Sequence, residues 1–168
     1  MKASDISLRN KKSRHTGAAF EELVDRSCEH YKVQGVAAIE KTPEPLKIIA
    51  NLGNGIFKAV CTKKAQPDYK GTIDGGYSIV FEAKHTDTDR IKRNVISSEQ
   101  EKELNYHDKM GAECYVLVSF GLQTFYKIPW RYFRDMKLYF GHQYISIDEP
   151  LIKSYEVKII GGVLRFIK

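Results

Sequence analysis

Apolar positions recur along the chain with two different periods. From Thr16, a polar residue suited to cap a helix start, they fall at Phe20, Leu23, Val24, Ser27/Cys28 and Tyr31, ending before Gly35. That three-and-four spacing predicts a helix buried along one face. After a short apolar run at 36–40, Lys41-Thr42-Pro43-Glu44-Pro45 interrupts the pattern, because neither proline can donate to a strand ladder. Beyond it the period shortens to two. Runs at 46–52 and 56–62 flank Gly53-Asn54-Gly55, and runs at 69–74 and 77–84 flank Gly75-Gly76, so each pattern predicts a β-hairpin. The stretch 87–94 reads as a charged connection. A second helix is predicted from Ser97 or Ser98 to about Met110, since Gln100 and Glu101 stand three residues after the two serines in the capping-box pattern. Strands at 114–120 and 123–128, a short helix opened by Pro129 and reaching Met136, and a terminal hairpin at 155–160 and 163–167 complete the reading. Helices precede and interrupt the strands, which predicts a mixed α/β (α+β) fold around one mixed sheet.

A chain of 168 residues favours one domain, taken as 16–168, and is long enough to bury a core without a disulfide or metal staple. Residues 1–15 carry Lys2, Arg9, Lys11, Lys12 and Arg14 against Asp5 alone, which predicts a basic arm, mobile when unbound. Lys41, Lys47, Lys58, Lys63 and Lys64, against Glu44, gather in and around the first hairpin (42–66). The net charge is +6, and these two segments more than account for it, leaving the remainder acidic. The positive charge is therefore not an even solubility coat but sits on two elements able to grip phosphates. Cys28, Cys61 and Cys114 form no CxxC pair, which argues against a disulfide framework or structural zinc. With no signal-peptide or membrane-spanning pattern, a cytoplasmic protein without a membrane partner is expected, in a bacterium or a phage-infected host. The five histidines are scattered and no Walker-type phosphate loop occurs.

The stretch with chemistry is Pro67-Asp68-Tyr69-Lys70-Gly71 followed by Glu82-Ala83-Lys84. A two-residue turn at Gly75-Gly76 would put Glu82 opposite Tyr69, and one at Asp74-Gly75 would put it opposite Pro67, so either register brings Asp68 within about one residue of Glu82. The period of two sets Glu82 and Lys84 on one face, with Phe81 and Ala83 on the other. Two carboxylates held so close repel unless a cation lies between them, and Mg²⁺ is the usual hard cation for oxygen ligands. The simpler alternative is that Asp68 caps a turn while Glu82 and Lys84 decorate a solvated face. Glu21, on the first helix beside its apolar stripe, could reach the same sheet edge.

In order, Thr16-Gly17-Ala18-Ala19-Phe20-Glu21-Glu22, Lys41-Thr42-Pro43-Glu44-Pro45, Asp68-Tyr69-Lys70-Gly71, Phe81-Glu82-Ala83-Lys84-His85-Thr86, Gln100 and the strand near 114–120 resemble the RecU family of Holliday-junction resolvases, within the PD-(D/E)xK nuclease superfamily. The resemblance implies a restriction-endonuclease-like core, a central mixed sheet flanked by helices, with the first hairpin protruding as a stalk. It implies Asp68, Glu82 and Glu21 as metal ligands with the Ala83 carbonyl, and Lys84 as the catalytic lysine. Mg²⁺ is the expected cofactor, with Mn²⁺ as a substitute. It implies a homodimer that binds four-way DNA junctions and cuts two strands symmetrically. Arg9, Lys11, Lys12, Arg14, Lys41, Lys47, Lys58, Lys63, Lys64 and Gln100 are then the expected DNA contacts, although helix capping explains Gln100 equally well. The aromatic segment Trp130, Tyr132, Phe133, Tyr139, Phe140 is a candidate dimer surface or simply core. A duplex-cutting nuclease of the same superfamily and a non-catalytic basic DNA-binding protein remain the alternatives.

Overall fold

The computed structural model describes residues 3–43, 45–61 and 66–167, with side chains described from His15 onward except that of Cys61. Helix α1 spans Ala3–Val33, so the helix expected to begin at Thr16 is continuous with residues before it. No proline or glycine lies between Ala3 and Thr16 to break it, and Gly17 is tolerated inside. The side chains of the basic arm, with Arg9, Lys11, Lys12 and Arg14, lie outside the described residues, as do Lys63 and Lys64. The chain continues through β1 (Ala37–Lys41), β2 (Leu46–Gly53), β3 (Ile56–Cys61), β4 (Tyr69–Ile73), β5 (Tyr77–Thr86) and β6 (Arg90–Lys92). It then forms α2 (Ser98–Lys109), β7 (Glu113–Phe120), β8 (Thr124–Pro129), α3 (Trp130–Arg134), α4 (Met136–Phe140) and β9 (Tyr144–Ser146). Three short strands close it, β10 (Glu156–Val157), β11 (Ile159–Ile160) and β12 (Val163–Leu164).

Six strands make the central sheet in the order β1-β4-β5-β7-β8-β10. Only β5 and β7 pair in parallel, joined by the crossover through α2, and the other neighbours are antiparallel. The mixed sheet expected from the sequence is thus present. On one face α1 contributes Phe20, Val24 and Tyr31 to a core with Phe81, Tyr115 and Phe166. The rings of Tyr69, Phe81 and Tyr115 stack in series across β4, β5 and β7, with centroids 4.8 and 4.7 Å apart. On the other face Leu104, Trp130, Phe133 and Met136 pack on Val80, Val116 and Val118. The central strands are buried on both sides, as parallel pairing with covered faces requires. Gly71 lets β4 lie close against β1: a Cβ there would come 2.2 Å from the Ala38 carbonyl oxygen.

Two local expectations are corrected and one open alternative is resolved in favour of the core. The terminal hairpin is interrupted, because β10 leaves to extend the main sheet beside β8 while β11 and β12 pair separately. The connection at 87–94 contains β6, which pairs with β9. Trp130 and Phe133 are fully buried, so most of the aromatic segment belongs to the core rather than to a surface. The hairpin of β2 and β3 forms as expected around Asn54 and Gly55, both at positive φ. Its large side chains Leu46, Ile48, Leu52, Ile56 and Phe57 are exposed.

Candidate active site

The β4–β5 turn has three residues, Asp74, Gly75 and Gly76, with both glycines at positive φ and Gly76 N–H donating to the Ile73 carbonyl at 3.1 Å. The resulting register pairs Tyr69 with Phe81, midway between the two registers considered from sequence. One step further along the same pairing sets Asp68 opposite Glu82. Strand alternation sends Phe81 and Ala83 toward α1, and Val80 and Glu82 toward α2.

Lys84 Nζ donates to Glu82 Oε2 at 2.7 Å and to Asp68 Oδ2 at 3.0 Å. Asp68 Oδ2 also accepts from Ala83 N–H at 3.0 Å. From α2, Gln100 Nε2 donates to Glu82 Oε2. Gln100 completes a capping box as well: Ser97 Oγ accepts its backbone N–H, and its Oε1 accepts Ser97 N–H. Gln100 therefore caps α2 and at the same time reaches Glu82. Glu82 is 0% exposed, and its Oε1 is buried without a hydrogen-bond partner. This excludes the solvated-face alternative, because burying an unpaired carboxylate oxygen costs free energy that a decorative residue does not incur.

The electrostatics follow from that burial. Desolvation pushes the Glu82 carboxyl up to about 8 from 4.5; Lys84 pulls it back, and Asp68 adds to the rise. Burial by itself would discharge Lys84, but Glu82 and then Asp68 outweigh it and raise its pKa. An ammonium has three donor hydrogens, and the two carboxylates take two of them.

Glu21 lies in an adjoining cluster rather than on this trio. Its Oε2 accepts from Lys41 Nζ at 2.7 Å, while Asp25, one helical turn on, lies 3.9 Å from the same ammonium and accepts from the Tyr69 hydroxyl at 2.6 Å. Lys41 is held charged chiefly by that hydrogen bond to Glu21. Asp25 was missed from sequence, although its place four residues after Glu21 on one helix face was the available signal. His85 points to the α1 side, as expected, where its ring meets Phe20 and its nitrogens bridge Ser119 Oγ at 3.1 Å and Asp87 Oδ1 at 3.0 Å. Lys47 and Lys58 are exposed on the hairpin. Among the described residues, no three His, Cys, Asp or Glu side chains are gathered tightly enough to hold a metal on their own. Also among them, no helix is long and apolar enough to cross a membrane.

Asp68, Glu82 and Lys84 thus converge at one end of the central strands of a mixed sheet flanked by helices. The chain belongs to the RecU family, Recombination protein U, which matches residues 15–167. The Holliday junction resolvase RecU of Streptococcus sanguinis is 27% identical over 176 residues, 89% of this chain and 86% of that protein. The protein of that name from Streptococcus gordonii is 29% identical over 123 residues, 67% of this chain and 60% of the relative. The one from Ligilactobacillus salivarius is 29% identical over 110 residues, covering 62% of this chain and about half, 51%, of the relative. Among solved structures, Archaeoglobus fulgidus Hjc, a Holliday junction resolvase from an archaeal hyperthermophile, superposes with a TM-score of 0.41 at 16% identity over 64% of this chain and 75% of its own.

Proposed function

We propose that this protein is a metal-dependent endonuclease that resolves four-way DNA junctions by paired, symmetric nicks. The observation that carries the reading is the Lys84 ammonium held between Asp68 and a fully buried Glu82 with one oxygen unpartnered. Membership of a family whose relatives are named Holliday junction resolvases supports the substrate.

Asp68 and Glu82 are hard oxygen donors and fit a divalent cation such as Mg²⁺ or Mn²⁺, with the Ala83 carbonyl beside them and Glu21 near by. When bound, such an ion supplies an acidified water and charge neutralisation at the scissile phosphate. The chain's own residues do the rest. Glu82, desolvated and held by Gln100, is kept in one orientation. Lys84 uses two hydrogens to fix the carboxylates and has the third to orient a water or to meet negative charge developing on a phosphoryl oxygen. The water oxygen bonds phosphorus as the ester P–O bond breaks; the water's proton passes to solvent and the departing sugar oxygen takes one up, leaving a phosphate and a hydroxyl at a ligatable nick. Lys47 and Lys58, on one face of the hairpin, supply charge for the DNA backbone.

Symmetric cleavage calls for two sites related by a twofold axis, hence a homodimer. The hairpin register sets Leu46, Ile48, Phe57 and Ala59 on the face opposite Lys47 and Lys58. That exposed apolar face suits a second copy of itself better than the aromatic segment, whose Trp130 and Phe133 are buried.

The test is a cleavage assay in which a labelled four-way junction competes with excess linear duplex, with and without Mg²⁺. Junction cutting that survives the competitor and needs the metal supports the reading. Equal cutting of duplex points to a general nuclease, and no cutting in Mg²⁺ points to a binding protein.

A further inference from the structure

At the active site the first leg of the β2–β3 hairpin leaves the sheet from the end of β1, next to the point where the chain enters β4. The last pair between β1 and β4 is Lys41 with Tyr69, and the ladder runs one step further, Thr42 N–H donating to the Asp68 carbonyl at 2.9 Å. The first leg therefore starts beside Asp68, the residue that precedes β4. The large apolar side chains of the hairpin are exposed rather than packed on the body. Pro43 and Pro45 stiffen the root of the first leg by fixing φ, which makes it a lever rather than a slack linker. Lys41 fastens that root to α1 through Glu21 at 2.7 Å, with Asp25 at 3.9 Å. Asp68 is thus held from two sides, its carbonyl by Thr42 and its carboxylate by Ala83 N–H and Lys84 Nζ.

From this arrangement we propose that Lys41 and Thr42 form a positioning element that couples seating of the hairpin on branched DNA to the placement of Asp68. They make cleavage, and not only binding, depend on the junction. The inference rests on the nuclease reading above. A displacement of about 1 Å at a catalytic group can cost about 100-fold in rate, so a modest tilt of the lever is enough to separate a seated hairpin from an idle one.

Thr42→Pro removes the N–H that reaches Asp68 while leaving Asp68, Glu82 and Lys84 themselves unchanged in sequence. In single-turnover assays it is expected to cut the junction at least 10-fold more slowly, while the junction Kd measured in Ca²⁺ stays within twofold of wild type. Lys41→Met should slow cutting similarly and Lys41→Arg should restore most of it. Independently of activity, amide exchange of the wild-type peptide containing Thr42 should slow on adding the junction in Ca²⁺ and stay unchanged on adding linear duplex. Equal protection by both DNAs, or a Thr42→Pro variant that loses rate and affinity in proportion or loses neither, overturns the coupling. Should Thr42→Pro melt below the assay temperature, the exchange measurement decides. Wild type that fails to cut the junction in Mg²⁺ overturns the nuclease reading instead.

Discussion

Gln100 bonds Glu82 across the gap between α2 and β5, Nε2 to Oε2, while the same side chain closes the cap of its own helix through Oε1. One residue thus fixes where the helix starts and how the buried carboxylate is turned. Gln100→Ala should lose both, with a stability cost of about 1 kcal/mol and a fall of about 10-fold in cleavage rate. Ser97→Ala removes the cap and leaves the bond to Glu82, so it should show the stability loss without the rate loss. Thermal melts and single-turnover rates on the two variants separate these effects.

The pH dependence of stability carries a sign. Because Glu82 is raised to about 8 from 4.5, the folded protein binds a proton that the unfolded chain releases between those values. The stabilisation is complete below about 4.5 and lost as pH rises through about 8. In EDTA, the Tm of wild type should therefore fall relative to Glu82→Gln between about pH 4.5 and 8, and added Mg²⁺ should flatten the difference. Parallel profiles for the two proteins would contradict this assignment.

On the hairpin, Phe57→Asp places a charge in the middle of the apolar face shared with Leu46 and Ile48. Sedimentation equilibrium should report a dimer for wild type and a monomer for this variant, and paired cutting within one junction should give way to single nicks. The body of the protein should melt at an unchanged temperature, since Phe57 is exposed.

Removing residues 2–12 deletes Lys2, Arg9, Lys11 and Lys12. Junction binding should weaken, and its salt dependence should flatten by about 0.9 in slope for each phosphate that is no longer neutralised. Binding titrations across a salt series measure this directly, and an unchanged slope would show that the segment does not touch DNA.

Much of this was legible in the sequence because the relevant residues obey strong local rules. The period of two around Gly75-Gly76 placed Asp68 near Glu82, although the three-residue turn shifted the register by one from either simple choice. The capping-box spacing located α2 and with it Gln100. What escaped depends on tertiary contacts that carry no local signature. That Glu82 lies on a covered face follows from α2 crossing over the sheet, and the Glu21–Lys41–Asp25 cluster arises only when β1 reaches α1. The β6–β9 pairing joins segments more than fifty residues apart through strands of three residues each, too short to show a period.

The central claim, that Asp68, Glu82 and Lys84 form a metal-dependent cutting site on a junction-binding protein, is tested most directly by Glu82→Gln assayed for binding and cleavage of the same four-way junction. The amide keeps the shape of the side chain and can still pair with Gln100, but it removes the anion. Junction affinity within about twofold of wild type, with cleavage in Mg²⁺ reduced by at least 1,000-fold, is the predicted result. Cleavage at the wild-type rate by this variant would contradict it.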